Sequence, residues 1–120
     1  SSHNIETVKD KDQLVDLGKT PSGVPVSVNR KVVEADIKIA VGQIVGHPLA
    51  GWGGGGKIIQ PGVCGEETTW RTHWLQTEYK ENELLGVTDN PIRLEIEEVA
   101  KRVGLDFIVN VILNIFKDNS

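Results

Sequence analysis

The sequence predicts an α/β fold, three-layered, with a mostly parallel or mixed sheet and flanking helices, either as a whole domain or as part of one. Three observations carry that prediction. Segments with the apolar patterns of strands alternate with segments of helical period, giving a βαβαβ-like order. The stretches 37–41 (IKIAV) and 107–113 (FIVNVIL) are β-branched and almost wholly apolar, as strands covered on both faces are. Seven of the 13 glycines crowd between Gly46 and Gly62, just past the first of those stretches. Open α/β sheets place their ligand loops at that strand end.

Each element has a local reason. Residues 24–28 (VPVSV) put Val24, Val26 and Val28 at alternate positions, the mark of a half-buried strand, and Gly23 supplies the preceding turn. Asn29 caps a short helical turn through Ala35. The strand at 37–41 ends in Gly42, which leaves His47 just beyond its carboxyl end. After Pro61-Gly62, a helix is expected from about Gly65 to Lys80, with Glu66 and Glu67 in the first turn where carboxylates suit the dipole. Its Trp70, His73, Trp74 and Thr77 fall on one face, read as facing inward. A second helix starts at the N-cap Asn90 with Pro91 in its first position. It carries the stripe Ile92, Ile96, Val99, Ala100 and Val103 and stops at Gly104.

Composition narrows the function. At 120 residues the chain suits a single domain, expected over 1–120. A net charge of -4, a pI near 5.3 and dispersed basic residues leave no electrostatic footprint for nucleic acid. No stretch approaches the roughly 18 apolar residues of a membrane span, and no signal peptide is visible. The one cysteine, Cys64, allows no internal disulfide and fits a reducing, cytoplasmic compartment. The lack of methionine, with an opening Ser-Ser-His that has the polar look of an added leader, predicts an internal piece of a longer protein.

Candidate chemistry concentrates between His47 and His73. Gly53, Gly54, Gly55 and Gly56 incur an entropy cost that close approach of backbone to a bound group would explain. Lys57 adds an amine that pairs with anions or, when desolvated, acts as a nucleophile. His47 and His73 add groups that move protons or bind a metal near neutral pH. A triphosphate site is disfavoured. Gly51, Gly56 and Lys57 match the start of the phosphate-loop pattern, but Ile58 replaces its hydroxyl residue and Pro61 interrupts the helix that should follow. His47, Cys64 and His73 could supply three zinc ligands, without the short paired spacings of structural zinc sites. An α/β module that binds a phosphorylated small molecule through the glycine loop is the non-catalytic alternative.

The string VVEADIKIAVGQIVGHPLAGWGGGGKIIQPGVCGEETTWRTHW resembles the nickel-pincer lactate racemase family. Its histidine, aromatic-x-Gly-Gly-x-Lys, Pro-Gly, Glu-Thr and second histidine follow the family's order. VDLGKTPSGVPVSVNRKVVEAD upstream and NPIRLEIEEVAKRVGLDFIVNVILN downstream extend the likeness over roughly residues 12–114. Gly56 and Trp52 depart from the residues common at those positions. The resemblance implies a nickel-pincer nucleotide tethered through a thioamide to Lys57, beside the glycines at 53–56, with His73 as nickel ligand. It makes His47 one of two histidines that act as acid and base on the hydroxyl of a small 2-hydroxy acid, inverted by hydride transfer. The partners it implies are cofactor-synthesis proteins and the rest of the same polypeptide. That remainder would hold the second histidine and a substrate-carboxylate arginine upstream, and a further domain. On this reading the piece is inactive alone, and His3 lies too near the start to be the second histidine.

Overall fold

The computed structural model describes residues 3, 4, 6, 7 and 9–113, and the ends of the expected 1–120 domain lie outside them. The α/β class holds, with parallel and antiparallel pairing both present. β1 (Leu14–Lys19) and β2 (Pro25–Asn29) form an antiparallel hairpin, and α1 (Arg30–Glu34) follows. β3 (Ile39–Gln43) leads into the small hairpin of β4 (Gly46–His47) and β5 (Gly51–Trp52), and then into a 3-10 turn at Gly55–Ile58. Three helices, α2 (Glu66–Leu75), α3 (Glu81–Leu84) and α4 (Pro91–Val103), precede β6 (Phe107–Val111), which returns to pair with β3 in parallel. Everything between β3 and β6 is therefore one long crossover, and the candidate residues all lie within it.

The caps form as their residues predict. The Asn29 side chain accepts the Lys31 amide at 3.0 Å, and Asn90 accepts those of Ile92 and Arg93 at 2.7 and 3.1 Å. Gly104 takes the left-handed conformation at φ +78°. The stripe of α4 is buried along its whole length and divides between two cores. Val99, Ala100 and Val103 pack with Val26, Val28, Ile59 and Cys64, while Ile92 and Ile96 pack with Ala50 and Leu84. Each such buried Val or Ile contributes about 1.5–3 kcal/mol relative to an exposed one. The helix thereby joins the β1–β2 hairpin to the loops beyond β3.

Four expectations need correction. The strand expected at 37–41 lies two residues later, because the Asp106 carboxylate accepts the Lys38 amide and pairing begins at Ile39. β6 is not covered on both faces: all five of its residues are exposed, since among the described residues it has only β3 beside it. The helix expected to reach Lys80 ends at Leu75 and tightens into a 3-10 turn at Gln76–Glu78. β1 was not foreseen, because its LVDLGK carries two charged residues, Asp16 and Lys19, and a glycine beside only three apolar ones. Among the described residues no helix is long and apolar enough to cross a membrane.

Candidate active site

His47 closes β4, Lys57 sits in the 3-10 turn after the glycines, and His73 lies in the last turn of α2. All three line one cleft of about 100 Å³, whose walls include Ala50, Gln60, Ile92 and Ile96. Residues 10 and 16 positions apart are thus brought to one place by three different elements. The floor is apolar, so charge placed in the cleft is poorly solvated.

The half-buried His47 ring turns back on its own loop. Its Nδ1 accepts the backbone N–H groups of Leu49 and Ala50, both at 3.2 Å. A nitrogen that accepts carries no hydrogen, so the neutral ring has its proton on Nε2. Burial, then the nearby Lys57 ammonium, then His73 lower the ring's proton affinity below the usual histidine range. Lys57 is likewise less basic than an ordinary lysine, first through burial and then through the Arg93 guanidinium. Among the described residues no carboxylate forms an ion pair with it. A half-buried amine of lowered basicity is a better nucleophile at neutral pH than a solvated one.

His73 is exposed, and the expected inward face of α2 is the outward one. Trp70 and Trp74 are 59% and 68% exposed. The buried face instead carries Thr68 and Thr72. The Thr68 hydroxyl accepts the Ser27 amide at 2.9 Å and donates to the Pro25 carbonyl at 2.8 Å, which docks α2 onto β2. The Thr72 hydroxyl donates to the Thr68 carbonyl and accepts from the buried amide of Gln60. Hydroxyls satisfied by a neighbouring backbone are buried at little cost, and the tryptophans are left outside.

The glycines have a reason within the fold. They lie at the carboxyl end of the β3–β6 pair. A Cβ on Gly53 would meet Val45, one on Gly54 would meet Asn110 Oδ1 and the Gln43 carbonyl, one on Gly55 would strike Arg93, and one on Gly56 would press on the Glu97 carboxylate. A side chain at position 56 would require the half-exposed Glu97 carboxylate to shift by a few tenths of an ångström. Several loop amides are engaged internally: Gly53 with the Val45 carbonyl, Gly55 with Asn110 Oδ1, and Lys57 with the Gly54 carbonyl. These are the groups a phosphate cradle would need free.

Cys64 takes no part in a metal site with the histidines. It is fully buried in the core, donates to the Ile59 carbonyl at 3.2 Å, and burial pushes its thiol up to about 12. The His3 ring bonds the Cys64 carbonyl and the Asn29 amide. Among the described residues no group of three or more His, Cys, Asp and Glu is placed to hold a metal ion.

Three residues around the site escaped the sequence reading. Arg93 donates to the carbonyls of Trp52 and Gly54 and pairs with Glu97, fixing the loop from α4. Nothing in an exposed-looking helix position signals this. Asn110 is the one polar residue in an apolar strand, a signal that could have been followed. Asn90 was read as a cap alone, yet its side-chain amide also reaches the carbonyls of Leu49 and Leu84, both at 2.7 Å.

Comparison with known proteins gives a consistent picture. Residues 2–86 match the family described as the lactate racemase N-terminal domain. The chain is 31% identical over 113 residues to the lactate racemase of Thermoanaerobacterium thermosaccharolyticum, covering 92% of this chain and 26% of that protein. It is 31% identical over 106 residues to the lactate racemase of Lactiplantibacillus plantarum, covering 88% and 25%. The solved lactate racemase apoprotein from T. thermosaccharolyticum superposes with a TM-score of 0.83 over 89% of this chain and 26% of the other. A Thermotoga maritima protein, 22% identical, shares the fold with a TM-score of 0.78 over 92% of this chain and 31% of its own length. The chain spans about a quarter of the length of the curated relatives it matches.

Proposed function

Since the chain belongs to the lactate racemase N-terminal domain family, we propose that it is the cofactor-attachment part of a longer 2-hydroxy-acid racemase or epimerase. One observation carries the proposal: His47, Lys57 and His73, from three separate elements, line a single cleft. At about 100 Å³ it is smaller than the roughly 300–1,000 Å³ of complete small-molecule sites. Its remaining walls would come from the rest of the polypeptide. The exposed faces of β3 and β6 fit the same view, because parallel strands are ordinarily covered on both sides. The piece alone would be inactive.

The residues present fit a tethered nickel-pincer nucleotide. Lys57 offers a half-buried amine of lowered basicity, as acylation by a thiocarboxyl group requires. His73 offers an imidazole at the same cleft. A metal held by protein alone would need more ligands than this, so a single histidine suits a metal whose other donors belong to the tethered group. When bound, such a group supplies the hydride acceptor for the substrate's carbinol carbon. The chain's own part is to anchor through Lys57 Nζ, to ligate through His73, and to handle the substrate's hydroxyl proton at His47. Burial of Ile92 and Ile96 beneath the site limits water at the cleft floor.

The phosphate-binding alternative is weakened by the glycine-loop amides that are already bonded within the protein. Intact-mass measurement and metal analysis on the whole protein, co-expressed with cofactor-synthesis proteins, test the proposal. An adduct mapped to Lys57 is expected, absent from Lys57→Ala and from Lys57→Arg, whose guanidinium stays protonated. An unmodified wild-type chain, or an adduct persisting in Lys57→Arg, overturns it.

A further inference from the structure

Asn90 does more than cap a helix. Capping uses only the side-chain oxygen, and serine, threonine or aspartate supply that equally well. The two amide hydrogens of Asn90 cross to other segments, donating to the carbonyls of Leu49 and Leu84 at 2.7 Å each. Asn90 is fully buried, and both its oxygen and its nitrogen are engaged twice. The Leu49 carbonyl and the Ala50 N–H belong to one peptide group. Asn90 therefore donates to one end of that group, and its other end donates to His47 Nδ1 at 3.2 Å.

We propose that Asn90 is a positioning residue for His47, holding the ring in its Nε2-protonated form through the peptide group that joins Leu49 to Ala50. A peptide whose oxygen accepts a hydrogen bond becomes a stronger donor at nitrogen, by about 10–30% per bond in such chains. The strengthened Ala50 N–H, together with that of Leu49, claims the Nδ1 lone pair. A hydrogen on Nδ1 would point at two others. The resting ring thus keeps Nε2 as an N–H donor, suited to a substrate oxygen, and takes up a further proton only by releasing the two loop amides. This inference rests on the reading of His47 as the residue at the substrate hydroxyl: in the resting tautomer Nε2–H donates to that oxygen, and Nε2 accepts the hydroxyl proton only once the ring's own proton has moved to Nδ1, displacing the loop amides.

Nitrogen-15 NMR of the histidine rings in the protein, without cofactor or substrate, reads the tautomer directly. The wild type should show His47 with a pyridine-like Nδ1 and a protonated Nε2, and an Ala50 amide proton shifted downfield. Asn90→Ser and Asn90→Thr keep the cap oxygen and replace the two amide donors, which reach the Leu49 and Leu84 carbonyls, by a single hydroxyl hydrogen on a shorter arm. In these variants the Nδ1 signal should move toward the averaged position of exchanging tautomers, and the Ala50 proton should move upfield. A wild-type ring protonated on Nδ1 overturns the proposal whether or not the variants fold. So does a folded Asn90→Ser or Asn90→Thr whose His47 and Ala50 signals match the wild type. The two readings fail separately, because the tautomer is measured without turnover. A His47→Asn whole enzyme that still racemises at the wild-type rate removes the catalytic role while leaving the tautomer result standing.

Discussion

The guanidinium of Arg93 donates to the carbonyl of Trp52 at 3.0 Å, across 41 positions of sequence. The same side chain reaches the Gly54 carbonyl at 3.3 Å and pairs with Glu97 at 2.8 Å. A charged fork from α4 thus holds the start of the loop that presents Lys57. Its removal takes this charged donor from the Trp52 carbonyl and leaves the Gly54 carbonyl with only the Lys57 N–H at 3.2 Å.

Arg93→Ala should therefore destabilise the protein by about 1.5–3 kcal/mol, the range for hydrogen bonds to charged groups. Arg93→Lys keeps the charge but not the planar fork and should fall between. Denaturant midpoints check the stability. Hydrogen exchange at the Gly53 and Gly55 amides checks that the loss is local, and unchanged exchange there would place the role of Arg93 elsewhere.

Gly55 sits at φ +57°, and a Cβ there would strike the Arg93 side chain. Gly55→Ala should cost about 1–2 kcal/mol from backbone strain alone, with the displaced guanidinium adding to it. Since both substitutions break the same contact, the Gly55→Ala, Arg93→Ala double variant should lose less than the sum of the singles. Additive losses in a denaturation cycle would show the two residues to be independent.

His73 is exposed on α2, so His73→Ala should change stability by no more than about 0.5 kcal/mol. In the whole protein carrying its cofactor, the same substitution should lower nickel content and leave the Lys57 adduct in place. A large drop in thermal midpoint would instead point to a packing role, and full nickel occupancy would remove His73 from the metal.

The acid limb of stability should carry a signature of His47. Its proton affinity is lowered on folding, chiefly by burial, so the unfolded chain binds the proton more readily. Above the ordinary histidine value of about 6.5 both states are neutral and the group contributes nothing. As pH falls through that value toward the lower folded one, the unfolded state takes up the proton first and stability declines. His47→Asn should therefore flatten the fall in unfolding free energy between about pH 7 and 5 relative to wild type. Parallel pH profiles for the two proteins would contradict this.

The sequence by itself determined whatever is settled within a turn or two of chain. Asn29 and Asn90 with Pro91 start their helices, Gly104 ends the last, and Val24, Val26 and Val28 all turn inward. The spacing of His47, Lys57 and His73 marked out the candidate site, because reactive side chains beside a strand end and a glycine loop are rare without a use. Only the tertiary structure decided which face of α2 is buried. Hydrophobic periodicity favoured Trp70 and Trp74, but the hydroxyls of Thr68 and Thr72 find partners on β2 and Gln60, and a satisfied polar face is as buriable as an apolar one. Tertiary structure alone also showed that the glycines pack on Arg93, Glu97 and Asn110, and that one peptide of the β4–β5 turn links Asn90 to His47. Those contacts join residues some 40 or more positions apart through polar geometry, which leaves no periodic trace in a sequence, whereas caps and stripes arise from neighbours and are written there directly.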